Sequence, residues 1–271
     1  MDIPILLIKT ILLRPYVFLF LAAFLFSASR LLGWKRTGAF FIITWITAFA
    51  CEFSSTRTGI PFGWYQYTAS TVGQELYLSN VPFMDSLSFT FLLYASYCLA
   101  LVFLLPAQDR PVRRSSFLVL KLLFDPSVRT SWPVLILTAL FFAFIDVVID
   151  PVALRGDRWF LGRIYYYPDP GVHFGVPLAN YAGWAVVGLI ALTVYFVLDR
   201  HLPSPELRPD QSVTEKVLLG CGLYYGVLIF NLAMTFWIHE ALLGITGILI
   251  YLPITVLAVL RLAQRLPAPN D

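Results

Sequence analysis

"WPVLILTALFFAFIDVVIDP", residues Trp132 to Pro151, carries no charge until Asp146 and then places a second carboxylate four residues on, at Asp150. Crossing the hydrocarbon core of a bilayer takes about 20 mostly apolar residues, and this run supplies them. Pro133 suits the first turn of a helix, and Pro151 suits a stop after Asp150. Ionisable groups inside such a segment are costly and tend to face a cavity or a partner. The stretch therefore reads as a membrane-spanning helix over roughly 132–150 that ends in a pair of acids.

The rest of the chain agrees. Of 271 residues, 59% are hydrophobic and 13% charged, against about 25% charged in ordinary soluble domains. Six further apolar runs, roughly 14–32, 38–53, 86–106, 180–198, 216–237 and 240–260, bring the count to seven spans. The expected fold is an all-α, multi-pass transmembrane bundle, with residues 1–271 forming one integral membrane domain. No linker or internal repeat divides it. Residues 3–13 either lengthen the first span or lie along the interface. "FSAS" (Phe26 to Ser29) faintly resembles a cleavage site. No basic segment precedes the apolar stretch, which is longer than a usual signal core, so an uncleaved first span is expected.

Lys and Arg fall unevenly on this map. Loops one, three and five and the C-terminus carry 13, including Arg110, Arg113 and Arg114 of the basic connector "PAQDRPVRRSSF"; the other side carries 6. The richer side is expected to be cytoplasmic, with the N-terminus outside. The net charge of +3 is small and spread over loops. No basic stripe with a nucleic-acid fold signature occurs, so no nucleic-acid partner is expected. Cys51, Cys98 and Cys221 lie far apart in apolar runs, which argues against a disulfide framework or a zinc site.

In this topology loops two, four and six share one poorly basic end, and the unusual chemistry collects there. Loop two begins "EFSSTRTGIPFGWYQYT" (Glu52 to Thr68). Loop four opens with "DVVIDPVALRGDRW" (Asp146 to Trp159) and closes with "YYYPDPGVHFGVPLANYAGW" (Tyr165 to Trp184). Asp85 starts span three, and His239 and Glu240 lie in loop six. Asp146 and Asp150, at i and i+4, share a helix face. Two readings stand: Arg155, Arg158 or Arg163 folds back to neutralise them, or burial leaves a protonated acid beside a carboxylate. Glu52 either marks the interface or is an acid–base partner across the bundle.

Asp146, Asp150, Glu52, His173 and His239 include hard metal ligands. There is, however, no H-E-x-x-H and a single D-x-x-x-D rather than two Asp-rich magnesium motifs, so no metal is expected. No phosphate loop or nucleophile elbow stands out. Trp64, Tyr65 and Tyr67 in loop two and Trp159, Tyr165, Tyr166 and Tyr167 in loop four concentrate aromatic faces. They serve either as an interface belt or as the walls of a pocket for an extended apolar ligand and a cation.

"TGIPFGWYQYT" after Glu52, "DVVIDPVALRGDRW" and "GVHFGVPLANYAGW" together resemble the membrane-integral carotenoid biosynthesis proteins that include the CruF-type carotenoid 1,2-hydratases. The resemblance covers roughly spans two to six, and the loop-four motif is its most specific part. It implies cofactor-independent addition of water across the terminal double bond of an acyclic ψ-end, with neither nicotinamide nor flavin. It implies Asp146 or Asp150 as the acid and Glu52 as the water base or its partner. Trp64, Tyr65, Tyr67, Trp159, Tyr166, His173 and Asn180 are then expected around the substrate. The implied partners are a membrane-dissolved carotenoid, water, the lipid bilayer and other carotenoid-pathway enzymes. The implied location is a bacterial cytoplasmic membrane. The alternatives are a cyclase-like end-group enzyme and a non-enzymatic lipid-binding or transport protein.

Overall fold

The computed structural model describes residues 3–109, 120–202, 207–208 and 211–264. Arg110, Arg113, Arg114 and Arg265, part of the charge asymmetry, lie outside them. Eight α-helices dominate: α1 (Ile3–Leu13), α2 (Pro15–Leu32), α3 (Trp34–Thr58), α4 (Phe83–Leu104), α5 (Trp132–Ala153), α6 (Leu178–Asp199), α7 (Thr214–Trp237) and α8 (Ala241–Ala263). Seven of them, α2 to α8, are long and apolar enough to cross a membrane. The all-α, multi-pass reading therefore holds.

α4 is the axis of the bundle. Every residue from Phe89 to Val102 is buried, and α2, α3, α5, α7 and α8 pack around it, with α6 against α5 and α3. A helix that is apolar all round is one enclosed by others. The outer helices instead show apolar side chains on their free faces, such as Ile42 and Ile46 on α3 and Ile245 and Leu249 on α8. α1 is a separate short helix with Ile5, Ile8 and Leu12 exposed. It is tied to loop two through Thr10, whose hydroxyl accepts from Leu76 N–H at 2.8 Å.

Three two-stranded ribbons interrupt the helical pattern. β1 (Gln66–Tyr67) pairs antiparallel with β6 (Tyr165–Tyr166); β2 (Tyr77–Leu78) pairs with β3 (Val81–Pro82), and β4 (Ala107–Asp109) with β5 (Leu120–Leu122). The β1–β6 pair joins loop two to loop four. Arg158 joins loop four to loop six through Glu240. Buried Arg14, just before α2, forks onto Glu75 of loop two at 3.2 and 3.0 Å and donates to the Leu161 carbonyl of loop four. The polar loops thus share one end of the bundle. At the other end Asp199 of α6 lies between Arg36 of α3 and Arg129.

Two boundaries differ from the sequence reading. α3 continues to Thr58, so Glu52 sits on a helix face six residues before its end and not in a loop. Small hydroxyl residues interrupt the hydropathy there without breaking the helix. α5 also runs through Pro151 to Ala153. Proline has no N–H to give the carbonyl four residues back. That carbonyl, on Val147, takes its hydrogen bond from His173 Nε2 at 3.2 Å instead. His173→Phe is expected to lower stability by about 1 kcal/mol, because it leaves the half-buried Val147 carbonyl without its donor. Thermal unfolding in detergent checks this; unchanged stability would show that the His173 contact does not brace the helix at Pro151.

Candidate active site

The polar end closes over four carboxyl groups. Glu52 from α3, Asp85 from the first turn of α4 and Asp150 from α5 line one small pocket, and Asp146 lies one turn deeper, fully buried. Glu52 accepts from Ser86 Oγ, while Tyr67 OH lies 2.6 Å from Asp85 Oδ2 and 3.3 Å from Glu52 Oε1. Asn180 of α6 spends both amide protons on the acid pair, donating to Asp150 Oδ2 at 2.7 Å and to Asp146 Oδ2. Tyr167 OH also donates to Asp150 Oδ2, at 3.1 Å.

Among the described residues no arginine is paired with these four acids. Arg155 bonds the Pro151 and Phe174 carbonyls and pairs with Glu240 at 3.1 Å. Arg158 pairs with Glu240 as well, and Arg163 lies over the Tyr166 ring. The neutralising arginine considered from the sequence is therefore not what the fold provides. The acids meet hydroxyl and amide donors instead. Tyr67 has one proton for two carboxyls, and Asp146 Oδ1 is buried with no hydrogen-bond donor among the described residues. Asp146 Oδ2 and Asp150 Oδ2 accept from the same Asn180 amide nitrogen, which holds the two carboxyls close. Where no cation is paired with them, a proton held on the pair is what relieves two buried carboxylates this close.

The aromatic walls follow from the two-residue ribbon. Along a strand successive side chains alternate between faces. Gln66 stands opposite Tyr166, and Tyr67 opposite Tyr165. Tyr65, Tyr67, Tyr165 and Tyr167 therefore turn inward and line the pocket, whereas Tyr166 turns out and bonds Gln66 Oε1 at 2.9 Å. Burial pushes the phenols of all four inward tyrosines well above their ordinary range, so each stays a neutral hydroxyl. Loop two reaches the site through Phe62. Its N–H bonds buried Ser55 Oγ at 2.9 Å, and its ring lies on Gly183 of α6, where an added Cβ would come within 2.4 Å of it.

A second, apolar chamber lies beneath, with Met84, Ile149, Trp159, Leu161 and Val227 among its walls. Asp85, Asp150, Tyr165 and Trp184 line both cavities. Trp184 stacks on Phe89 with centroids 4.2 Å apart and planes 15° apart.

Of the residues expected from sequence, Glu52, Tyr65, Tyr67, Asp150 and Asn180 meet at the pocket, Asp146 stands behind Asn180, and Trp159 walls the apolar chamber. Trp64 is largely exposed, and its ring covers Gly59. His173 and Tyr166 stay outside both cavities. Asp85 and Trp184 were not singled out as site residues. Asp85 had a signal, an acid at the very start of a span; Trp184 had only its place at the end of a motif. Among the described residues no group of three or more His, Cys, Asp or Glu side chains is arranged to hold a metal ion.

These features define a multi-pass membrane protein with a polar, carboxyl-rich pocket opening onto an apolar chamber. A family model described as "Carotenoid biosynthesis protein" matches residues 11–253, and the chain belongs to that family. It is also similar to the bisanhydrobacterioruberin hydratase of Haloarcula japonica, 26% identical over 214 residues. That match covers 79% of this chain and 62% of the relative, so the chain spans less than two thirds of the relative's length. No solved structure matches the chain.

Proposed function

We propose that this protein adds water across the terminal 1,2 double bond of an acyclic carotenoid end group, by acid catalysis and without a cofactor. The observation that carries the reading is the position of Asp150. It lines both the polar pocket and the apolar chamber, and among the described residues no arginine or lysine is paired with it. The hydratase relative supports the same chemistry.

The step is an electrophilic addition. Asp150 gives its proton to C2 of the alkene, and the π electrons form the new C–H bond, leaving a tertiary cation at C1. Tyr165 and Trp184 present aromatic faces to that cation. Water from the polar pocket attacks C1 as Glu52 or Asp85 accepts its proton, and the product is a tertiary alcohol. Tyr67, touching both Glu52 and Asp85, keeps that proton in the cluster. The proton taken from water returns to Asp150 across the pocket that Glu52, Asp85 and Asp150 line, and Asp146, bound to the same Asn180 amide, is the carboxylate beside it. The net change is one water added, with no electrons transferred to or from the substrate. Activity is therefore expected to survive chelation by EDTA; loss restored by a divalent ion would require a metal.

The excess of Lys and Arg at the opposite end favours a cytoplasmic-membrane protein whose carboxyl pocket faces outward. Expression in a lycopene-producing host, followed by weighing the pigment, tests the proposal. Gain of one water supports hydration. Unchanged mass with an altered spectrum points to cyclisation, in which the same cation loses a proton. Unchanged pigment overturns the enzymatic reading.

A further inference from the structure

The chamber beside Asp150 has a volume of about 100 Å³, well below the roughly 300–1,000 Å³ of sites that enclose a drug-sized ligand. It takes an end group and no more, so the rest of a long substrate has to leave it. Phe20 lines this chamber and also a larger groove of about 440 Å³. That groove follows the seam between α2 and α7, past Ala23 and Ser27 on one helix and Gly226, Leu223 and Gly222 on the other. Tyr16 and Phe20 meet Phe230 at its chamber end, with centroids 5.3 and 5.7 Å apart. Leu19, Phe26 and Leu219 along it are exposed, so the seam faces lipid. From Tyr16 to Ser27 the helix rises about 16 Å at 1.5 Å per residue. The lining is almost wholly apolar.

We propose that the α2–α7 groove is the binding track for the extended polyene body of the substrate, which enters from the bilayer while its end group sits at Asp150. This rests on the hydration reading for the identity of the end group. Gly222 and Gly226 lie one helical turn apart on one face, and a Cβ added at either meets no atom within 4 Å. Gly220 on the same helix is different, because its Cβ would strike Cys98 Sγ at 2.2 Å. The two groove glycines thus leave space and are not needed for α2 to approach α7. Small residues four apart also serve as contact faces between membrane helices, so a second copy of the chain is the competing occupant.

Gly222→Leu and Gly226→Leu fill the groove without striking a neighbour at Cβ, and leucine is the better helix former. Each is purified in lipid nanodiscs beside wild type. Binding of a full-length acyclic carotenoid is read by the shift of its absorbance, and turnover is compared with that of a short acyclic hydrocarbon bearing the same end. Either variant is expected to lose carotenoid binding and to lower kcat/KM for the long substrate by about 10-fold or more, as overfilled apolar pockets do. The short hydrocarbon, which does not reach Gly226, keeps its turnover. Wild-type hydration with both variants matching wild type on the long substrate overturns the track and leaves hydration standing. No hydration by wild type, but carotenoid binding that the leucines abolish, overturns hydration and supports the track. No carotenoid binding by wild type overturns the track, as does a wild-type dimer that the leucines dissociate. If one variant fails to fold, the other decides.

Discussion

Asp150→Asn is expected to fold like wild type and to leave the pigment unhydrated. The side chain keeps its size, and its amide oxygen still accepts from Tyr167 and Asn180. An amide cannot deliver a proton to an alkene, however. General acid–base groups contribute about 10²–10⁴-fold, and in the proposed mechanism the acid starts the reaction, so the loss is expected at or beyond the upper end. Asp146→Asn is expected to cost less, because Asp146 lines neither cavity and acts through its neighbours. Folded yield and pigment mass are measured together. Poor yield with hydration per folded molecule preserved would make Asp150 a brace; normal yield with full hydration would remove it from the chemistry.

The residues that identify the site were legible in the sequence to different depths, for physical reasons. Hydropathy marked the spans because the bilayer forces long apolar runs, and i, i+4 spacing put Asp146 and Asp150 on one face. The end of α3 was less visible. Glu52, Ser54, Ser55, Thr56, Arg57 and Thr58 read as a polar loop, yet the backbone stays helical until Gly59, whose φ of 75° ends it. Local composition does not say whether a hydroxyl-rich turn is still wound. The inward and outward tyrosines were not separable at all, since the β1–β6 register depends on a partner almost a hundred residues away. The same holds for Pro151, which reads as a stop until His173 supplies the missing donor. For Trp159 belt and pocket wall were equal readings, and Trp184 stood out only as the end of a motif, because nothing local distinguishes an aromatic facing lipid from one facing a chamber.

The fate of each buried carboxylate depends on whether a cation meets it, and Asp199 shows the opposite case to Asp150. Arg36 Nε reaches Asp199 Oδ1 at 2.6 Å, Arg129 Nη2 reaches Oδ2, and all three side chains are less than a tenth exposed. These groups come from α3, the segment before α5, and α6, so the triad ties two helices to the segment that leads into a third, at the end remote from the pocket. Asp199→Asn leaves two guanidinium groups facing an amide. Breaking a buried pair by removing one partner costs about 3–5 kcal/mol, because the buried guanidinium groups lose the carboxylate that faces them. The variant is therefore expected to fold in low yield and to unfold at a clearly lower temperature in detergent. Each molecule that does fold should hydrate as wild type does, since the carboxyl pocket is untouched. Replacing Arg36, Arg129 and Asp199 together by apolar residues should recover much of the loss, as the charges and their desolvation cost leave together. Normal stability in Asp199→Asn would show that the triad does not hold the helices; normal stability with lost hydration would mean that the two ends of the bundle are coupled.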